Sequence, residues 1–260
     1  IKPHIICYKS LITNMICDIV PFTQPFMKEV EDIMIKRIDW VLNEMNNNKL
    51  HANQSIWEAL FYVSRRIKSK KLTHKLLNEM NYYRNNIYYF DYNFPLLQMV
   101  INSLFESGDK DLLEVAIGLY GDYSAKYNIN DDISHSNKIS LFNHWKLQQS
   151  GSKEIDFHGY NTSFAFVGLL YILRYEYPPL NITQYMLDQN PYKNPNVCII
   201  VGRGKHNSRG ESALKRYILE QIHNNHDIFN VKIGYTVHPH NDGTLIFNGT
   251  DIVKWRIANG

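Results

Sequence analysis

A chain of 260 residues with 44% hydrophobic and 13% aromatic side chains has enough apolar material for one large or two modest packed domains, which excludes global disorder. Its formal net charge of +3 and isoelectric point near 8.6 permit nucleic-acid binding but fall short of the strongly basic balance of a dedicated binder. Cys7, Cys17 and Cys198, odd in number and without Cys-x-x-Cys spacing, exclude a disulfide scaffold and read as small apolar side chains of a reducing compartment, cytoplasm or organelle.

The first half predicts helix after helix. Val30 to Met45 places Val30, Ile33, Met34, Ile38, Val41, Leu42 and Met45 in one stripe at helical spacing. Ser55 to Ile67 repeats the pattern after a cap at Asn53 or Ser55, and Leu72 to Tyr83 follows. Phe94–Phe105 and Leu112–Tyr127 form a further pair across the Gly108-Asp109 turn. Helices paired through short turns predict an all-α helical-hairpin domain over 1–135. The phrases at 2–12 and 100–120 resemble pentatricopeptide or tetratricopeptide units. The spacing of comparable phrases, about 42 to 48 residues, departs from the strict period of either.

Within this half, Arg65, Arg66, Lys68, Lys70 and Lys71 form the most basic stretch, whose default reading is a solvated helix face. Tyr82, Tyr83, Tyr88, Tyr89 and Tyr92 read as the edge of a core rather than as a base-stacking surface. The tract 136–151 is polar around an apolar island at Ile139–Leu147 and predicts a linker holding one short helix.

After Ser152 the rhythm changes. The pattern predicts a strand at Glu154–Phe157, a helix at Thr162–Tyr177 stopped by Pro178-Pro179, and a short helical turn near Tyr185–Leu187. A strand at Val197–Val201, a helix at Gly210–His223 and strands at Val231–Val237 and Thr244–Phe247 follow, the last two joined by a turn at Pro239–Gly243. The fold class is therefore α+β with two domains: helices first, then a β-α-β-α-β-β sandwich over 152–250 and a tail at 251–260. The longest apolar run, Phe164 to Leu173, is too short for the roughly 18 residues that span a bilayer, so it reads as a buried helix and no membrane partner is expected.

Two segments of this second half carry chemistry, Ile155-Asp156-Phe157-His158-Gly159 and Val201-Gly202-Arg203-Gly204-Lys205-His206. In an extended strand Asp156 and His158 project to the same side. Gly202 and Gly204 allow backbone N–H groups to approach an anion just before a helix. Phosphodiester cleavage needs a base, an acid for the leaving oxygen and donors for the charge on phosphate. His158 and His206 suit proton transfer near neutral pH. Asp156 could orient an imidazole, hold a divalent magnesium or manganese ion, or act as base itself. Arg203 and Lys205 can neutralise phosphate, and Lys215 and Arg216 extend the cationic track. Ser208 and Glu211 have capping-box spacing, which predicts the helix start there. Asn207 stands where a dinucleotide fingerprint needs its third glycine, so a Rossmann site does not fit. His238 and His240 flank a proline and lack a nearby cysteine, a poor metal set.

The two segments resemble the signature segments of the Smr (small MutS-related) domain, and the resemblance covers about 154–248. It implies a fold like the C-terminal domain of bacterial translation initiation factor three, and nucleic-acid binding, often with endonuclease activity on DNA or RNA. By position, Asp156 and His158 match the first motif. Gly202 and Gly204 match the second, with Arg203 between them and His206 just after. Val201 stands where the family usually has threonine, which removes a hydroxyl, and the segment Pro178–Asn196 is longer than a minimal Smr connection. The function expected is an endonuclease favouring RNA, with Asp156, His158 and His206 catalytic and Gly202, Arg203, Gly204, Lys205, Ser208, Lys215 and Arg216 binding nucleic acid. The alternative is a non-catalytic module that holds RNA or ribosomal particles, with the helical half binding a protein partner.

Overall fold

In a computed structural model of the chain, which describes residues 3–15, 27–86, 90–128, 146–147, 153–157, 160–176, 196–202 and 212–259, several helices start where an asparagine side chain satisfies a first-turn amide. Asn53 accepts from the Ile56 N–H at 3.1 Å, Asn93 from Leu96 at 2.9 Å and Asn161 from Phe164 at 2.9 Å. The helices of the first half are α1 (Ile5–Asn14), α2 (Met27–Asn47), α3 (Gln54–Ile67), α4 (Lys70–Asn86), α5 (Phe94–Glu106) and α6 (Lys110–Asn128). The chain divides into two compact units, Ile1–Ala116 and Ile117–Gly260, and the division falls inside α6. The boundary expected near 135 lies outside the described residues.

In the first unit α1, α3 and α5 pack side by side, and α2 lies against α1, α3 and α4. Ile12, Met34, Ile38, Leu60, Phe61, Leu76 and Leu104 are fully buried there, at ~1.5–3 kcal/mol each for a large apolar side chain. A polar seam runs through this core. Ser64 and Thr73 hydroxyls lie 2.5 Å apart, and Thr73 also donates to the Ser69 carbonyl at 2.7 Å. Ser69 Oγ accepts from the Leu72 N–H at 2.9 Å and donates to Glu31 of α2, so one hydroxyl caps α4 and ties α2 to it. Of the tyrosine tract, Tyr83 and Tyr92 are buried, Tyr82 is 61% exposed, and Tyr88 and Tyr89 lie outside the described residues. The basic stretch is partly paired, Arg65 with Glu106 at 2.9 Å and Lys71 with Asp32 at 2.8 Å.

The second unit holds β1 (Lys146–Leu147), β2 (Lys153–Asp156), α7 (Thr162–Tyr171) running into a π-helical turn at Ile172–Glu176, β3 (Val197–Ile200), α8 (Ala213–Asn224), β4 (Tyr235–His238), β5 (Asn241–Phe247) and α9 (Gly249–Asn259). Among the described residues the strands form one mixed sheet in the order β1-β2-β3-β5-β4, with β2 parallel to β3 and the other pairs antiparallel. The chain is thus a mixed α+β protein. Among the described residues no helix is long and apolar enough to cross a membrane.

Several expectations change. Lys146–Leu147, the end of the island expected to be helical, is instead a short edge strand against β2. The strand expected from Val231 begins only at Tyr235. The Gly234 carbonyl still accepts from the Asn248 N–H at 2.9 Å, in register with the ladder, but its N–H turns to the Asp251 carboxylate at 3.0 Å, which ends the ladder there. The turn between β4 and β5 shortens to Pro239-His240, because His238 pairs with Asn241 beyond a bulge after Val237. The expected tail at 251–260 forms most of α9, whose Trp255 is fully buried and donates its Nε1–H to the Ile228 carbonyl at 2.8 Å while stacking on Phe229. The helical turn expected near Tyr185–Leu187 lies outside the described residues.

Two glycines let α6 and α7 approach closely. A Cβ on Gly168 would stand 2.6 Å from the ring of Tyr120, and one on Gly121 would collide with the ring of Tyr171. Tyr120 is fully buried and its ring sits 5.2 Å from Phe164, so it has nowhere to go, whereas Tyr171 is partly exposed and can swing outward. Overpacking costs ~1–3 kcal/mol, while Ala for Gly in a helix gains ~1 kcal/mol. We therefore expect Gly168→Ala to lower the urea unfolding free energy by up to ~2 kcal/mol, and Gly121→Ala to change it far less. Equal effects of the two substitutions would contradict this packing.

Candidate functional site

The parallel register of β2 on β3 brings the two motif-bearing segments to one end of the sheet. Lys153, Glu154, Ile155 and Asp156 lie opposite Val197, Cys198, Ile199 and Ile200. The Phe157 N–H then donates to the Ile200 carbonyl at 2.9 Å, and the Val201 N–H to the Gly243 carbonyl at 2.8 Å. Both strands therefore end at the same level, at the carboxyl edge where open α/β sheets place their ligands.

Laterally paired residues share a face of a sheet. Ile155, Ile199 and Leu245 form one row and are fully buried. Asp156, Ile200 and Thr244 form the next row on the opposite face. Asp156 is exposed, Ile200 half-buried and Thr244 only 2% exposed. The Thr244 hydroxyl is buried without a hydrogen-bond partner among the described residues. The sheet thus presents a carboxylate and, two strands away, an unsatisfied buried hydroxyl.

Tyr160 completes the described side of the first segment. Its N–H donates to the Phe157 carbonyl at 3.1 Å, and its ring lies 6.0 Å from Phe157 and 5.3 Å, edge-on, from Phe164. Burial first, and then the negative charge of Asp156, hold its hydroxyl far above the ordinary phenol range. The group is therefore a neutral O–H at any working pH, close enough to Asp156 to feel its charge.

The second segment opens with Gly202 at φ +77°, a left-handed backbone that glycine alone adopts freely. Val201 just before it is buried, and its carbonyl accepts the Ser212 hydroxyl at 2.5 Å. Ser212 Oγ also accepts from the Lys215 N–H at 3.3 Å, which makes it the N-cap of α8. This corrects the expected helix start. The Ser208–Glu211 spacing does not begin the helix, because Ser212 both caps it and anchors it to the end of β3. Lys215 Nζ donates to the Asp242 carbonyl at 3.0 Å, and Arg216 lies 3.8 Å from Glu220. Lys215 is thereby held at the start of β5, and Arg216 makes a local ion pair along α8.

Of the residues expected to act, Asp156, Gly202, Lys215 and Arg216 are described, while His158, Arg203, Gly204, Lys205, His206 and Ser208 lie outside the described residues. Sequence reasoning passed over Tyr160, Ser212 and Thr244. Thr244 was within reach, since strand alternation carried across the ladder puts it in the row of Asp156. Ser212 carries no distinguishing signal beside Ser208. His238 Nδ1 accepts from the His240 N–H at 3.2 Å, which occupies one nitrogen of that histidine pair. Among the described residues no three His, Cys, Asp or Glu side chains gather as a metal-holding group.

Ser212→Ala removes a cap and a buried bond together. It is expected to cost ~1–2 kcal/mol in urea unfolding, with Ser212→Thr retaining most of the stability. No change in the midpoint for Ser212→Ala would show that the β3–α8 connection is held some other way.

No protein-family model matches the chain, and no curated protein and no solved structure matches it.

Proposed function

We propose that the segment 152–250 is a nucleic-acid-binding endonuclease unit similar to the Smr domain, acting on RNA in preference to DNA. In this reading its fold is like that of the C-terminal domain of translation initiation factor three. The observation that carries the proposal is the parallel pairing of β2 with β3. It brings Asp156 and Gly202, one from each motif, to the same carboxyl end of one sheet although they stand more than forty residues apart in the chain. The β-α-β-α-β-β order of β2, α7, β3, α8, β4 and β5 supports it further. The preference for RNA rests on the helical hairpins elsewhere in the chain, since such arrays can read single strands.

The roles follow from the chemistry of each group. His158 and His206 transfer protons between the nucleophile and the leaving oxygen. Asp156 orients an imidazole or holds one magnesium or manganese ion. A lone strand-end carboxylate suits a single ion rather than a two-metal clamp. Gly202 and Gly204 let backbone N–H groups face a phosphate, whose charge Arg203 and Lys205 neutralise, while Ser208, Lys215 and Arg216 extend the interaction along the strand.

The test incubates labelled RNA with wild type, Asp156→Ala, His158→Ala and Gly204→Val, each with and without EDTA, alongside filter binding. Cleavage should fall ~10²–10⁴-fold in the Asp156 and His158 variants with binding retained, and Gly204→Val should weaken binding itself. Equal cleavage by wild type and His158→Ala would place the activity elsewhere. Salt-sensitive binding without cleavage by any of them would favour a non-catalytic RNA- or ribosome-binding module.

A further inference from the structure

We infer that Thr244 makes the sheet-end site selective for RNA, its buried hydroxyl sharing a hydrogen bond with a ribose 2′-hydroxyl of the bound strand; this rests on the nucleic-acid reading of that site.

Two observations carry it. The first is the unmet hydroxyl. Thr244 is 2% exposed, and its Oγ1 has no hydrogen-bond partner among the described residues. Leaving a buried hydroxyl unpaired costs stability, and a valine of almost the same shape would avoid that cost. Both residues are β-branched and suit a strand, so local structure gives no reason for the hydroxyl. A partner brought by a ligand does.

The second observation is where the hydroxyl stands. Pairing of β5 with β3 sets Thr244 opposite Ile200, and pairing of β3 with β2 sets Ile200 opposite Asp156, so the three share one face. Exposure falls along that row, from exposed Asp156 through half-buried Ile200 to Thr244. Thr244 takes its place from β3 rather than β4. Val237 pairs with Leu245 and His238 with Asn241, which leaves Asp242, Gly243 and Thr244 outside the β4 register. Bulges of this kind re-aim side chains beside sites. The Gly243 carbonyl accepts the Val201 N–H at 2.8 Å, so the bulge is joined to β3 one residue before Gly202.

The chemistry of the row selects the group it takes. A phosphate seated there would face the Asp156 carboxylate and lose water against Ile200. Lys215, which could offset the charge, gives its Nζ to the Asp242 carbonyl. A ribose suits the row instead. Its carbon skeleton can lie on Ile200, and its 2′-hydroxyl can both donate to and accept from a threonine. The phosphate of the same nucleotide then falls to the backbone at Gly202, two residues beyond Ile200.

The test measures filter binding of the full chain to single-stranded oligouridylate and to oligodeoxyuridylate of the same length, with urea unfolding in parallel. The proteins compared are wild type, Thr244→Val, Thr244→Ser and Gly204→Val. Thr244→Val should raise the urea midpoint and leave DNA binding unchanged. It should weaken RNA binding about three- to tenfold, the contribution of one hydrogen bond. Thr244→Ser should keep the preference for RNA, and Gly204→Val should weaken binding to both strands alike. Unchanged RNA binding by Thr244→Val would overturn the inference, as would an equal loss on both strands, which would assign the hydroxyl to phosphate. A lower midpoint for Thr244→Val would also count against it, since the hydroxyl would then already be satisfied. A wild type that binds both strands equally would overturn it while leaving the nucleic-acid reading in place. A wild type with no salt-sensitive binding to either strand would reject that reading and this inference together.

Discussion

The second unit depends on one constraint, the register of β2 against β3. Side chains alternate strictly along a strand, so a slip of one residue would exchange the two faces. Ile155, now fully buried opposite Ile199, would turn to the exposed side, and Asp156 would be carried into the buried row with Leu245. Burying an unpaired carboxylate costs several kcal/mol, far more than the hydrogen bonds of a short ladder return. The apolar row and the carboxylate therefore select the same register. That register also brings both strands to an end at one level, which gathers the two candidate segments at one end of the sheet.

Close packing and polar anchoring then secure the elements around the sheet. Gly168 lets α7 meet the buried ring of Tyr120, and Tyr120, Phe164, Tyr160 and Phe157 follow one another, ring against ring, toward the strand end. Ser212 joins the last residue before Gly202 to the first turn of α8. The position of Asp156 and of the Gly202 backbone is thus set by side chains other than the candidate site residues. Thr244, whose buried hydroxyl has no hydrogen-bond partner among the described residues, lies in the row of Asp156.

In the first unit the corresponding division is between charges used inside the fold and charges left outside it. The hydroxyls of Ser64, Ser69 and Thr73 satisfy one another and the start of α4 within the core. At the surface Asp32 and Asp39 of α2 meet Lys71 and Lys75 of α4. Exposed ion pairs of this kind add little stability, ~0–1 kcal/mol each. Their larger consequence is to hold α2 beside α4.

The sequence by itself determined the helices of the first half, the β-α-β-α-β-β order of the second and the candidate site residues, because hydrophobic spacing and asparagine caps act over a few neighbouring residues. Asn53 was legible for that reason, as was the buried α7 from its apolar run. What only the tertiary structure decided were choices between locally equivalent residues. Ser212 rather than Ser208 caps α8, since Ser212 also reaches the Val201 carbonyl. Tyr82 is exposed and Tyr83 buried within one tract, because the covered side of α4 is set by α2, α3 and α5 together. Residues 251–259 form a helix because Trp255 finds Phe229 and the Ile228 carbonyl, and the ladder ends at Gly234 because Asp251 of that helix holds its N–H. In each case the deciding partner lies well outside a local window, and a hydrogen bond or a buried ring acts through space rather than along the chain.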